Sequence, residues 1–297
     1  MTPSLIIILY HPSPEDIAHL RNLAQLWPGC IVDNSEEPCF GMPEVGRMHY
    51  ICNSENLGIA EAQSIGIRKM LERGDTTHIV FLDQDTRIPT DYPSLIAEEY
   101  ERISLILAQQ SAGTSSTTSS PKGLALLGPS LFNLRSGEQY RSVVHHDQTT
   151  EADFIPRRDV ISTGSCIRTD VLQHVGLPET ELFIDYVDFE WCWRAQSQGY
   201  VCGITPRITI GHQVGLRELK IGSYRVIISA PFRYFYQYRN YLWLLRRRYV
   251  PLQWKLATGI KQLARLIYFP LLVKGGRRCF HFMWRGYRAA LRPSLQK

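Results

Sequence analysis

The stretch His78-Ile79-Val80-Phe81-Leu82-Asp83-Gln84-Asp85-Thr86 decides how this chain is read. Ile79 to Leu82 is too short for a helix of its own, and its branched and aromatic residues suit a buried strand. In extended backbone, residues i and i+2 point the same way. Asp83 and Asp85 therefore leave the strand end on one side, about 7 Å apart along the chain. Two like charges that close need a cation beside them or must stay well solvated. A divalent ion held by one or two carboxylates and the oxygens of a diphosphate fits the pair. A polar turn after a strand reads the same residues without any ligand, so the neighbouring segments must decide.

Toward the N-terminus, Leu5 to Tyr10 reads as a first buried strand. It has no basic leader and no small-residue cleavage site, unlike a secretory signal. Ser13-Pro14-Glu15-Asp16 has the form of a helix start. Ile17, Leu20, Leu23 and Trp27 recur at helical spacing until Pro28-Gly29 stops the run. Cys30 to Val32 is a second strand, ending at Asp33-Asn34. A strand-helix-strand of this size predicts parallel strands with a right-handed crossover, and ligands at the strands' carboxyl ends. Asp33 there either accepts hydrogen bonds from a base or ribose, or makes a turn. His49 to Ile51 is a third strand. Asn56-Leu57-Gly58 then leads into a helix through Ile59, Ala62, Ile65 and Met70, whose free N–H groups favour anions.

Downstream, a helix from Tyr92 to Gln109 is followed by the polar run Ser111 to Ser120, a disordered insertion or a lid. Leu124 to Pro129 resumes the sheet. Alternation between Leu131 and Arg158 predicts an antiparallel hairpin or edge, so the sheet is mixed. Val160 to Ile167 is a strand broken by small residues. Gly164 and Ser165 either let substrate pass close to backbone or accommodate packing. Phe183-Ile184-Asp185-Tyr186-Val187-Asp188-Phe189-Glu190-Trp191 then sets three carboxylates among bulky residues at a helix start. Asp185 is placed to cap that helix, and Glu190 pairs with Arg194 at i, i+4. Asp188 is left as a general base, with desolvation raising its pKa. His212, after a strand and between glycines, is either structural or a metal or phosphate contact.

The 297 residues carry a net charge of +5 and are 44% hydrophobic, enough for one large core. The charge is unevenly spread. Residues 231–297 hold 15 Lys and Arg and no Asp or Glu, leaving 18 basic against 28 acidic groups in residues 1–230. An acidic body with a basic, aromatic-rich tail predicts two surfaces with different partners. In the tail, Leu252, Leu256, Ile260, Leu263 and Ile267 share one helical face, with Lys255, Lys261 and Arg265 opposite. Such a helix lies in a membrane interface, or packs on the body or on a second subunit as a homo-oligomer. No nucleic-acid module is visible, so nucleic acid is not expected as a partner. No run reaches the roughly 18 apolar residues of a membrane span. Seven scattered cysteines without a Cys-x-x-Cys pair point to a reducing cytoplasm.

Taken together, Asn56-Leu57-Gly58-Ile59-Ala60-Glu61-Ala62-Gln63, the Asp83-Gln84-Asp85 strand end and the segment from Phe183 to Trp191 resemble the family 2 glycosyltransferases of the GT-A fold. Among these the bacterial rhamnosyltransferases are most similar, and the resemblance covers about residues 5 to 245. It implies an α/β catalytic domain over residues 1–230, with a mixed, mainly parallel central sheet, and basic amphipathic helices over 231–297. It implies nucleotide-sugar contacts from Tyr10, Asp33, Asn56, Gly58, Gln63 and Asp83, a divalent Mg²⁺ or Mn²⁺ ion on Asp85 and His212, and Asp188 as catalytic base. The implied reaction is an inverting, single-displacement transfer of L-rhamnose from dTDP-L-rhamnose to a hydroxyl of a lipid-linked or polysaccharide acceptor in cell-surface glycan synthesis. The implied location is peripheral, on the inner face of the cytoplasmic membrane. Another donor, galactofuranosyl or mannosyl, and a non-catalytic nucleotide-sugar-binding scaffold are the alternatives. The first strand ends Leu9-Tyr10-His11 where the family commonly has Thr-Tyr-Asn, and Ser64 stands where Asn is common.

Overall fold

The computed structural model describes residues 2–113, 121–133, 149–150, 152–212, 217–221 and 224–291. Residues 114–120 of the Ser/Thr run and 134–148 of the expected hairpin lie outside these. Strand β1 (Pro3–Leu9), helix α1 (Pro14–Leu26) and strand β2 (Gly29–Asp33) form the first crossover unit. A capping box starts α1, with the Ser13 hydroxyl accepting from the Asp16 N–H and the Asp16 carboxylate accepting from the Ser13 N–H. Strands β3 (Glu44–Val45) and β4 (Met48–Cys52) precede α2 (Gly58–Arg73), which Gly74 ends in the left-handed conformation. Strand β5 (His78–Asp83) carries the opening motif, and α3 (Tyr92–Gly113) follows it.

The second half contains β6 (Gly123–Asn133), β7 (Ile155–Pro156), β8 (Cys166–Arg168), α4 (Thr169–Val175), α5 (Val187–Ser197) and β9 (Tyr200–His212). A small hairpin, β10 (Arg217–Ile221) and β11 (Tyr224–Ile228), leads to α6 (Arg233–Leu245), α7 (Leu252–Leu272) and α8 (Gly276–Ala290). The main sheet runs β3-β4-β2-β1-β5-β8-β6-β9-β7. Its β4-β2-β1-β5 block is parallel, and β8 joins β5 antiparallel. The expected mixed, mainly parallel sheet is therefore present.

Both faces of the sheet are covered. One core layer holds Leu5, Ile7, Val80 and Leu82 against Ile96 and Tyr100 of α3. The other holds Ile6, Val32, Ile79 and Phe81 against Ile67 and Met70 of α2 and Trp191 of α5. The parallel strands read as continuous apolar runs for this reason. Two local expectations change. Of Val160 to Ile167, strand geometry starts at Cys166; before it, residues 162–165 form a turn closed by the Ser165 N–H on the Ser162 carbonyl at 2.8 Å. Gly164 serves packing: an added Cβ there would lie 2.7 Å from the Tyr92 hydroxyl and 2.6 Å from Ile210, at φ +74°.

Helices α6, α7 and α8 build a separate core from Tyr234, Tyr238, Phe269, Val273, Cys279 and Met283. Among the described residues no helix is long and apolar enough to cross a membrane. All seven cysteines are unpaired.

Candidate active site

Strand β5 ends at the carboxyl edge of the sheet, where Asp83 pairs in register with Ile8 of β1. The Thr86 N–H closes a turn on the Asp83 carbonyl at 3.0 Å, leaving Asp85 exposed at its tip. The neighbouring turn is tied to β5 through the Gly164 N–H on the Phe81 carbonyl, 2.7 Å. That tie sets Thr163 beside Asp83, and its hydroxyl donates to the Asp83 carboxylate. Across from them stands the start of α5. Gln63, Asp83, Asp85, Asp185, Asp188 and Arg233 all line one cavity of about 470 Å³. A smaller cavity of about 210 Å³ adjoins it, sharing Asp83 and lined also by Tyr10, Asn34, Asn56, Gly58 and Phe232.

Asp188 occupies the second position of α5. Its carboxylate accepts from its neighbour Phe189 N–H at 3.0 Å and from the Ser162 N–H at 3.3 Å. Burial among apolar groups pushes its pKa from the ordinary 3.8 up to about 7, against the opposing pull of those two N–H groups. The carboxyl is thus poised near neutral pH, as a general base must be.

The loop that presents Asp188 is strained. Phe183, Asp185 and Tyr186 sit at φ 64°, 67° and 68°, each costing on the order of 1–3 kcal/mol in a residue with a side chain. The surroundings hold it there. The Asn240 carboxamide nitrogen lies 2.8, 2.9 and 3.1 Å from the carbonyls of Leu182, Ile184 and Asp185. Arg239 donates to the carbonyls of Glu181 and Leu182, and Tyr236 stacks on Phe183 at 4.6 Å. From the other side, the Ala60 N–H reaches the Phe183 carbonyl, and Gly58 at φ +83° leaves no room for a Cβ, which would lie 2.6 Å from Phe183. Asp185 does not cap α5: the N-cap is Tyr186, without a side-chain bond. Its carboxylate instead forms a two-pronged ion pair with Arg233 at 2.6 and 3.2 Å. Glu190 and Arg194 do pair, at 2.9 Å, and the Tyr249 hydroxyl donates to the same buried carboxylate.

The remaining sequence-derived residues separate into three groups. Tyr10, Asn56 and Gly58 line the smaller cavity and Gln63 the larger. Asn56 also accepts from the Gly58 N–H at 3.0 Å, which helps start α2. Asp33 lines neither cavity. It is fully buried, and its oxygens accept from the Tyr50 hydroxyl at 2.6 Å and the N–H groups of Ser35 and Cys39. Burial raises its pKa, but those donors outweigh burial and hold it below the usual carboxylate range. In this conformation it shapes the loop after β2, and its neighbour Asn34 faces the cavity. His212 is the last residue of β9, and its imidazole lies outside the described residues. The preceding Gly211 bridges Arg87, two residues beyond Asp85, so β9 ends beside the acidic turn.

Asp83 and Asp85 supply hard oxygen ligands on one wall, which fits a divalent ion that completes its shell with phosphate oxygens and water. Among the described residues, no three His, Cys, Asp or Glu side chains converge on a metal position. Sequence reasoning missed Thr163, Arg233 and Asn240. All three act across more than forty-five residues of separation, and no local pattern marks them.

An acidic strand end and a second carboxylate lining one cavity of a mainly parallel sheet suit a nucleotide-sugar transferase. The chain belongs to the family 2 glycosyltransferases of the GT-A fold and is a glycosyltransferase. It is 30% identical over 261 residues to the dTDP-rhamnosyl transferase RfbF of Shigella flexneri, covering 83% of this chain and 81% of that protein. Among solved structures it is similar in fold to S. aureus TarS 1-349 in complex with UDP-GlcNAc. That match has 12% identity and a TM-score of 0.53, covering 98% of this chain and 82% of TarS. A second crystal structure of S. aureus TarS 1-349 gives a TM-score of 0.52 at 12% identity, with 98% of this chain and 81% of TarS covered. No protein-family model matches the chain.

Proposed function

We propose that this glycosyltransferase moves L-rhamnose from dTDP-L-rhamnose to a hydroxyl of a lipid-linked glycan, with inversion, at a membrane surface. The observation that carries the reading is that Asp83, Asp85 and Asp188 line one cavity. The likeness to a rhamnosyl transferase supports the donor. The nucleoside fits the smaller cavity beside Tyr10 and Asn34, and the diphosphate reaches Asp83 and Asp85. Asp85, with Asp83 near it and His212 at the end of β9, would hold a divalent ion, Mg²⁺ or Mn²⁺, which would supply positive charge for the departing diphosphate. Asp188 accepts the proton of the acceptor hydroxyl as its oxygen bonds to the anomeric carbon. The bond from that carbon to the diphosphate oxygen breaks on the opposite face, and the nucleoside diphosphate leaves with the electron pair. Arg233, held by Asp185, keeps the α5 loop in position throughout.

The test is calorimetric binding of dTDP-L-rhamnose, UDP-galactofuranose and GDP-mannose with and without Mn²⁺. The expected outcome is metal-dependent binding of the first, and loss of the metal dependence in Asp85→Ala. Tighter binding of another nucleotide sugar overturns the donor; metal-independent binding overturns the ion. Binding without any turnover to acceptor or water would make the chain a scaffold.

A further inference from the structure

A third cavity, of about 260 Å³, opens between α5 and α7. Phe189, Trp193 and Trp254 line it, together with Arg158, Asp159 and Lys261. Phe189 lines the donor cavity as well, and directly follows Asp188 in the chain. The two spaces share an aromatic wall. Tyr186 of the donor cavity meets Trp254 edge-on at 5.0 Å, Trp254 meets Trp193 at 4.7 Å, and Trp193 meets Phe189 at 6.0 Å. Trp193 is 98% buried, at 2% exposure, and its indole nitrogen is closed off from the cavity, so it contributes ring surface to the wall.

This combination suits a carbohydrate. A sugar ring offers a face of C–H bonds to the electron-rich face of an aromatic ring, and its hydroxyls take hydrogen bonds from charged groups at the edge. The volume holds about one sugar ring, just below the usual span of small-molecule pockets. Phe189 lines both cavities and directly follows Asp188, so a ring seated here lies one residue along α5 from the carboxylate read above as the base.

We propose that the aromatic cavity between α5 and α7 is the acceptor subsite, binding a sugar residue of the acceptor glycan on Trp254 and Phe189, with Arg158 and Lys261 at its polar edge. The assignment rests on the glycosyltransferase reading of the neighbouring cavity. Its test uses saturation-transfer NMR on the full chain with dTDP and Mn²⁺-free Mg²⁺ buffer. The probes are the methyl glycosides of glucose, galactose, rhamnose and N-acetylglucosamine. At least one should receive magnetisation from the protein's aromatic protons. Trp254→Ala should remove that signal, and Lys261→Ala, a substitution at an exposed side chain, should weaken it. In transfer assays the same variants should raise the acceptor KM more than they lower kcat. Retained dTDP binding in each variant reports an intact fold. The subsite is overturned if no glycoside contacts the wild type, if contact survives in Trp254→Ala, or if the variants raise the donor KM instead. Failure of dTDP-L-rhamnose itself to bind would strike the donor reading, a separate result from any of these.

Discussion

Asp188 is the residue on which chemistry and stability pull in opposite directions. Burial raises its carboxyl from 3.8 to about 7, so the folded chain holds a proton that the unfolded chain releases above pH 4. Below pH 4 both states are protonated and the group is neutral toward stability. Between pH 4 and 7 the unfolded state gains from ionising first, and stability falls until the folded-state carboxyl ionises too. Asp188→Asn should therefore stabilise the ligand-free protein by on the order of 2 kcal/mol at pH 8, and not at pH 4. Urea unfolding at the two pH values measures this, and equal changes at both would show that the carboxyl is not desolvated. The same variant should lose roughly 10²–10⁴-fold in kcat while still binding dTDP-L-rhamnose. In the wild type, kcat/KM should rise with pH to a plateau above about 7, because only the ionised carboxylate accepts the proton.

At the scale of elements, α2 and α6 grip the strained loop before α5 from opposite sides. Asn240 of α6 is fully buried and its amide reaches three loop carbonyls. Asn240→Ala leaves these acceptors unpaired and should cost about 1–3 kcal/mol, with kcat falling more than donor affinity. Gly58→Ala sets a Cβ against Phe183 at a positive φ and should destabilise by more than about 1 kcal/mol. Both are read by thermal unfolding and steady-state kinetics; a variant with wild-type kcat would mean the loop does not need its clamp. The elements themselves were legible because their signals are local. Ser13 and Asp16 cap α1, Gly74 stops α2, and the apolar run of β5 ends at Asp83. The clamp was not legible. Arg233 and Asn240 lie in a segment whose arginines and aromatics read as surface, and their partners are about fifty residues away. Asp185 misled for the same reason: a carboxylate before a helix suggests a cap, and only the tertiary position of Arg233 redirects it.

For the whole molecule, the decisive feature is that α7 is turned inside out. Its polar side faces the protein: Gln262 donates to the Gln237 carbonyl, Lys255 to the carbonyls of Leu245 and Arg247, and Arg265 to Gln237 while lying over Tyr234. Its apolar stripe faces outward, with Leu256, Ile260, Leu263, Ile267 and Leu271 between 60 and 76% exposed, and Trp284 of α8 is 50% exposed. A continuous apolar face of this kind marks an interaction surface. The periodicity of the sequence located the stripe, but periodicity does not say which side of a helix packs. The occupant we propose is an anionic bilayer, since residues 231–297 have 15 basic and no acidic side chains and such a membrane attracts a basic surface. Helix α7 also contributes Trp254 and Lys261 to the proposed acceptor cavity, so under these two proposals a lipid-linked sugar would enter that cavity while its lipid stayed in the bilayer. The wild type should pellet with phosphatidylglycerol vesicles and release as salt approaches about 0.5 M. Replacing Leu256, Ile260, Leu263 and Ile267 together by Ser should abolish pelleting without lowering the unfolding temperature, because these side chains pack on little in the free protein. Continued pelleting of that variant would place membrane contact elsewhere. A lipid-free dimer that becomes monomeric on the same four substitutions would give the stripe to a second copy of the chain.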